Sequence, residues 1–153
     1  MDKEVYHFVR AVGAVEPTQG DELYPVFREF FKRSNYFLLR DTLLIVKISR
    51  SDKPFWGVGR KYIEFLNRFD SYLLVLLTSK DRGWFFTKRD VNKKIRDKVW
   101  NLREEDDNYK INYNTVRYHE NRFTSIEQFA RRNELQTVKT AAASLNKKGA
   151  NPI

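Results

Sequence analysis

Lys47 is the residue of this sequence whose position most suggests chemistry. It follows the aliphatic run of residues 43–46, which is typical of a central strand buried on both faces. Strand alternation places Lys47 on the same face as Leu43 and Ile45, a face that is otherwise apolar. A lysine near the carboxyl end of such a strand can polarise a phosphate. It can equally lay its stem along apolar surface and keep its ammonium in solvent, and the sequence leaves both interpretations open.

Two groups of residues are candidates for binding a polyanion. The first, the strand-exit group, follows the central strand and consists of Ser49, Arg50, Lys53, Trp56, Arg60 and Lys61. The second lies on the outer face of a helix predicted over 88–99 and consists of Lys88, Arg89, Lys93 and Lys94, with Arg96 and Lys98 beyond them. Basic groups would neutralise phosphates, and Trp56 could stack on a base. The alternatives are a solvated charged face and a tryptophan that belongs to the core.

Asp41 and Asp52 are the carboxylates that precede and follow the central strand. If residues 41–47 form one extended strand, Asp41 lies roughly 20 Å from Lys47, so we favour its interpretation as a turn residue. Asp52 is predicted in a loop, where a carboxylate is usually just solvated.

The composition excludes several classes of site. The 153 residues include no cysteine, so disulfides and thiol chemistry are excluded. The two histidines, His7 and His119, are too far apart in the sequence to suggest a structural zinc site. No stretch approaches the ~20 apolar residues of a membrane span, and the amino terminus lacks a signal-peptide pattern. We therefore expect an intracellular protein without a membrane partner, cytoplasmic or nucleoid-associated.

The charge balance favours a polyanion partner. Lysine and arginine number 29 against 20 aspartates and glutamates, a net charge of +9. Residues 1–24 differ from the rest, because they carry five acidic and two basic residues. The excess of cations occurs together with 3 tryptophans, 8 tyrosines and 12 phenylalanines. This combination favours DNA or RNA over an anionic membrane surface. A homodimer and a protein partner both remain open.

The predicted elements indicate an α+β or α/β fold, with a mixed central β-sheet flanked by helices. We expect one domain over residues 1–136 and a mobile basic tail over 137–153. Strands are predicted at 5–9, 36–40, 43–48, 72–77, 83–87 and 109–113. Helices are predicted at 22–33, 58–69, 88–99 and 125–135, the last two behind capping boxes at Thr87–Asp90 and Thr124–Glu127.

Four of these segments together resemble the core of the PD-(D/E)XK nuclease superfamily. They are residues 44–50, the helix after Gly57, the leucine-rich strand at 72–77 and the segment 83–87, and the similarity spans about residues 22–113. The resemblance implies a restriction-endonuclease-like core, with an aspartate on one strand and Glu-x-Lys on the next. In such sites carboxylates hold Mg²⁺ for phosphodiester cleavage and the lysine holds the nucleophile or the phosphate.

The match to this motif is incomplete at the metal site. Lys47 falls on the catalytic lysine, but Ile45 falls on the glutamate. The resemblance makes Asp41 the nearest candidate for the aspartate that holds Mg²⁺, and Asp52 is the other carboxylate that could take part. Isoleucine cannot bind Mg²⁺. The resemblance therefore favours a nucleic-acid-binding protein with a degenerate metal site and no catalysis. A Mg²⁺-dependent endonuclease with a rearranged carboxylate set and a protein-interaction module are the alternatives.

Overall fold

The structure, a computed structural model, describes residues 2–18, 25 and 36–134. The tail predicted over 137–153 lies outside the described residues, as does the helix predicted over 22–33 apart from its residue 25.

The described residues form a mixed α+β fold with two sheets, which confirms the predicted mixture of helices with a mixed sheet. The larger sheet has the strand order β1-β2-β4-β5-β8, with β1 (Tyr36–Leu39), β2 (Thr42–Ile48), β4 (Tyr72–Ser79), β5 (Arg82–Thr87) and β8 (Arg122–Phe123). Strands β2 and β4 are parallel, and the other neighbours are antiparallel. The smaller sheet is antiparallel, with the order β3-β7-β6 and the strands β3 (Phe55–Gly59), β6 (Asn101–Arg103) and β7 (Asn108–Asn112).

Five helices occur in the described part of the chain: α1 (Lys3–Val12), α2 (Arg60–Leu66), α3 (Lys88–Arg96), α4 (Tyr113–Val116) and α5 (Ile126–Arg132). None of them is long and apolar enough to cross a membrane.

The larger sheet is buried on both faces. Strand alternation sends Leu44 and Val46 to one face, where they pack with the apolar sides of α1 and α5. It sends Leu43 and Ile45 to the other face, where they pack with the smaller sheet and with α2, α3 and α4. This arrangement explains the uninterrupted apolar runs of β2 and β4, since a strand covered on both faces needs apolar side chains at every position.

The predicted strands of the larger sheet are confirmed. Strand β1 pairs with β2 through a tight turn at Arg40 and Asp41, and β4 pairs with β5 as a hairpin. Helix α3 is also confirmed, although it ends at Arg96 rather than at residue 99. The last helix begins at Ile126 and is capped by Ser125, whose side chain accepts a hydrogen bond from the Gln128 backbone N–H, one position beyond the predicted box.

The strand predicted over residues 5–9 is wrong, and the helix predicted over 58–69 is confirmed with shorter bounds. Residues 5–9 are not a strand but part of α1, because the Asp2 side chain accepts from the Glu4 and Val5 backbone N–H groups and so caps a helix. Its apolar side chains recur at helical spacing and are buried: Val5, Phe8, Val9 and Val12. The helix predicted over 58–69 begins only at Arg60, because residues 55–59 pair with β7 as strand β3.

Candidate nucleic-acid interface

Lys47 lies near the carboxyl end of β2, on the face that packs against the smaller sheet. In the sheet register Lys47 is opposite Leu76 of β4, and Leu76 is opposite Trp84 of β5. Burial lowers the pKa of the Lys47 ammonium below its ordinary value. Lys47 forms no ion pair or hydrogen bond with any residue in the described part of the chain. Its surroundings are therefore those of a half-buried cation without a carboxylate beside it.

The positions suggested for metal ligands do not converge on Lys47. Ile45 is only 3% exposed and belongs to the core between the two sheets. Asp41 is an exposed turn residue at the opposite end of β2 from Lys47, which confirms the turn interpretation. Asp52 is exposed after the end of β2. Among residues 2–18, 25 and 36–134, no group of three or more His, Asp or Glu side chains could hold a metal ion.

Both arginines of the strand-exit group are held by carboxylates. The Arg50 Nε lies 3.1 Å from Glu4 Oε1, and the same guanidinium contacts Asp2, so it links the end of β2 to α1. Arg60 donates from Nε to Asp107 Oδ1 at 2.8 Å and from Nη1 to Glu64 Oε1 at 2.7 Å. These carboxylates offset much of the positive charge that a phosphate would need at this edge.

The remaining strand-exit residues divide between the core and solvent. Trp56 is 3% exposed and its Nε1 donates to the Leu77 carbonyl at 3.2 Å, so the core interpretation of this tryptophan is confirmed. Ser49 is buried and accepts from the Phe55 backbone N–H at 3.3 Å. Lys53 and Lys61 are exposed and form no ion pair within the described ranges. Of the strand-exit group, these two lysines are the ones that could meet a phosphate.

Helix α3 is held firmly enough to present a defined surface. At its start Thr87 Oγ1 accepts from the Asp90 backbone N–H at 3.2 Å, while the Asp90 carboxylate accepts from the Thr87 N–H at 3.0 Å. This capping box satisfies two donors at the helix start. Val91, which is fully buried, anchors the inner side of the helix against the larger sheet.

The cations of α3 have two different roles. Lys88 Nζ donates to the Asn67 and Phe69 carbonyls at 3.0 and 2.7 Å, so its ammonium is used within the fold. Arg89 and Lys93 are exposed and, within the described ranges, have no ion-pair or hydrogen-bond partner for their side chains. Together with Arg96 they stand at positions i, i+4 and i+7 of the helix and define what we call the α3 stripe.

A cleft of about 510 Å³ opens beside the α3 stripe. One wall comes from α3 and the residues after it, and the other comes from α4 and the segment that follows it. Lys94 joins the two walls, because its Nζ donates to the Thr115 carbonyl at 3.4 Å. The side chains that shape its chemistry are Lys93, Lys94, Asp97, Asn114, Tyr118 and Glu120.

His119 also borders this cleft, from a largely buried position. Its side chain is 10% exposed and stacks on the Phe86 ring with centroids 4.3 Å apart. Its Nε2 lies 3.9 Å from Asp90 Oδ2 and has no hydrogen-bond partner among the described residues. Burial lowers the pKa of His119, helped by the Lys94 charge and opposed by Asp90. The site therefore favours the neutral form of the imidazole.

Tyr118 and Arg117 are the features of this surface that the sequence analysis missed. Tyr118 is 83% exposed, and the Arg117 guanidinium carbon lies 4.5 Å from its ring centroid. The only local signal for them is the adjacency of an arginine and an aromatic residue, which is too common to single out a site. The proximity of Tyr118 to α3 across the cleft comes from the fold, because about 20 residues separate it from that helix in the sequence.

Comparison of the chain with protein-family models, curated proteins and solved structures finds no match. Neither the PD-(D/E)XK superfamily nor any other family is shown by these comparisons. The assignment of a function therefore depends on the geometry and charge of the residues described above.

Proposed function

We propose that this protein binds nucleic acid through the α3 stripe and does not cleave it. The observation that carries the proposal is the row of exposed cations Arg89, Lys93 and Arg96 on one side of a capped helix. Their spacing of four and three residues corresponds to rises of roughly 6 and 4.5 Å along the helix axis. A row of cations on a rigid helix suits the regularly charged backbone of DNA or RNA.

Within the described ranges the cations of this stripe are less engaged by carboxylates than the arginines of the strand-exit group, which makes the stripe the better candidate. Arg89 and Lys93 keep their full charge for a ligand, whereas Arg50 and Arg60 already face carboxylates. Arg96 has one weak neighbour, since its Nε lies 3.8 Å from Asp97 Oδ1 at an exposed site. The exposed Lys98, two residues after the end of α3, extends the positive surface beyond the stripe.

We further propose that the fold derives from a restriction-endonuclease-like core whose metal site is degenerate. The arrangement that supports this is the β1–β2 hairpin, the helix α2, and then β4 parallel to β2, with Lys47 near the end of β2. The support for a lack of catalysis is Ile45, which packs in the core at the position of the expected glutamate. A buried apolar side chain supplies none of the oxygen ligands that Mg²⁺ requires.

The binding proposal is tested by fluorescence anisotropy with labelled DNA and RNA across a range of salt concentrations. The affinity falls as salt rises, and each lost phosphate contact makes the slope of log K against log salt less steep by roughly 0.7–0.9. The double variant Arg89→Gln/Lys93→Gln is therefore expected to bind more weakly and to show a slope that is less steep by about 1.5. The control Lys53→Gln/Lys61→Gln removes the same charge from the strand-exit group and should leave the slope unchanged. The reverse result would move the site to the strand exit. If the protein shows no salt-sensitive binding to DNA or RNA, the proposal is overturned.

The lack of catalysis is tested on the same labelled strands with Mg²⁺, with Mn²⁺ and with EDTA. We expect intact strands under all three conditions, and equal affinity for the wild type and Lys47→Met. Metal-dependent cleavage that disappears in Lys47→Met would contradict the proposal. It would instead favour the endonuclease with a rearranged carboxylate set.

A further inference from the structure

Tyr118 presents an aromatic surface to solvent at the edge of the cleft. Its exposed fraction of 83% exceeds that of every other large hydrophobic residue found exposed in the described part of the chain. The Arg117 guanidinium lies over its ring and helps to fix its orientation. A flat, accessible ring beside a row of cations is the arrangement on which unpaired bases stack in proteins that bind single strands.

The chemistry of the cleft fits a base better than a phosphate. Asp97 and Glu120 contribute carboxylates that would repel a phosphate. Of the two lysines that line the cleft, Lys93 is exposed and Lys94 already donates to the Thr115 carbonyl. Carboxylates accept hydrogen bonds from the exocyclic amino groups of bases, and the Asn114 amide can both donate and accept. The volume of about 510 Å³ falls within the usual range for small-ligand sites.

The walls of the cleft are supported from behind. The hydrogen bond from Lys94 to Thr115 links them, and His119 is held by its stacking on Phe86. The Arg132 guanidinium of α5 donates a hydrogen bond to the Glu120 carbonyl. These contacts between protein groups hold the two walls in place, so a base need not order the cleft on binding.

We infer that the cleft takes one unpaired base from a strand whose phosphates follow the α3 stripe, with Tyr118 stacking on that base or on its neighbour. The protein therefore prefers single-stranded over double-stranded nucleic acid, because a base in a duplex is paired and stacked and cannot enter the cleft. This inference rests on the proposed function and adds to it the form of nucleic acid that is bound.

The inference is tested by anisotropy with a labelled single-stranded oligonucleotide of mixed sequence and with the duplex made from it, as DNA and as RNA, at one salt concentration. The wild type should bind the single strand more tightly. Tyr118→Ala should weaken single-strand binding roughly five- to one hundred-fold and leave duplex binding unchanged. Tyr118→Phe keeps the ring and should bind like the wild type.

Tyr6 supplies a matched control. It is a second exposed tyrosine with an arginine over its ring, Arg10 at 5.5 Å, but it lies on α1, outside the residues that line the cleft. Tyr6→Ala should change neither affinity. Asn114→Ala, at another exposed position of the cleft, provides a second variant that should weaken the single strand selectively, and thermal unfolding confirms that each variant is folded.

Equal wild-type affinity for single strand and duplex would overturn the inference. So would a Tyr118→Ala variant that binds the single strand as well as the wild type does, or one that loses both substrates equally. In each of these cases a salt slope that still depends on the α3 stripe leaves the proposed function standing. A protein that binds neither substrate at low salt overturns the inference and the proposed function together.

Discussion

Lys88 and Arg89 are adjacent lysine and arginine residues whose side chains have different roles. The Lys88 ammonium donates two hydrogen bonds to carbonyls at the end of α2, at 3.0 and 2.7 Å, whereas Arg89 is exposed and has no partner among the described residues. Hydrogen bonds to a charged group contribute about 1.5–3 kcal/mol each, and the carbonyls lose them when the group is removed. Lys88 is therefore a residue of the fold, and Arg89 is a residue of the surface.

Lys88→Met is expected to lower the free energy of unfolding by roughly 1–3 kcal/mol, because the Asn67 and Phe69 carbonyls lose their donor. The loss is smaller than the sum of two such bonds because the site is only partly buried and water can replace part of the donor. Arg89→Gln removes a charge one position away and should stay within about 0.5 kcal/mol of the wild type. Urea unfolding followed by circular dichroism measures both. Two variants with equal stability would show that the Lys88 contacts contribute nothing. The affinity for nucleic acid should fall more in Arg89→Gln than in Lys88→Met.

The sequence predicts the α3 cations as one group, and the structure separates them. Helical periodicity places Lys88, Lys93 and Lys94 on an outer face, but it carries no information about the carbonyls that approach that face from distant segments. The acceptors of Lys88 belong to residues about 20 positions upstream, and the acceptor of Lys94 lies about 20 positions downstream. Which cations are left for a ligand follows only from tertiary contacts. The same reason explains why Tyr118 and the cleft were not predicted.

At the scale of elements, the β4–β5 hairpin depends on a glycine. A β-bulge in β4 shifts the register between Leu77 and Ser79, and it lies beside Gly83 of β5. A Cβ atom at Gly83 would lie 2.1 Å from the Leu76 carbonyl oxygen, which is a backbone atom in the middle of the sheet. No side-chain rotation can relieve that contact.

Gly83→Ala is therefore expected to cost roughly 2–4 kcal/mol in the free energy of unfolding, because the hairpin must separate or distort. Gly57 is the matched control, since it also lies in a strand but a Cβ atom there would meet nothing within 4 Å. Gly57→Ala should leave the free energy of unfolding unchanged or raise it by up to about 1 kcal/mol, because alanine reduces the conformational entropy of the unfolded chain. Thermal and urea unfolding compare the two. Similar effects at both positions would contradict the role assigned to the close backbone approach.

Elements with a long periodic signal could be predicted, and short or context-dependent ones could not. The apolar runs of β2 and β4 indicate strands, and the apolar residues at helical spacing in α3 indicate a helix, without any information from distant segments. The sequence of α1 includes three valines, a tyrosine and a phenylalanine, which favour a strand, and only the Asp2 cap and the packing of its apolar side make it a helix. Strands β6 and β8 and helix α4 contain two to four residues each, too few for any period to appear.

At the scale of the whole molecule, the larger sheet separates two apolar layers that share its strands. One layer contains Phe8 of α1, whose ring lies 5.1 Å from Phe129 and 5.8 Å from Phe123. The other layer contains all three tryptophans of the chain, Trp56, Trp84 and Trp100, each at most 3% exposed. Tryptophan fluorescence thus reports on one layer, while a mutation of Phe8 acts on the other.

If the two layers unfold as one cooperative unit, Phe8→Ala must shift the tryptophan transition although Phe8 belongs to the other layer. Replacing a fully buried phenylalanine by alanine costs about 3–5 kcal/mol, a large fraction of the 5–15 kcal/mol typical of a domain. We therefore expect the urea midpoints from fluorescence and from circular dichroism to fall together and to remain coincident. Tyr6→Ala, on the exposed side of the same helix, should move neither. A tryptophan transition that keeps its wild-type midpoint in Phe8→Ala would mean that the layer around the smaller sheet unfolds independently of α1.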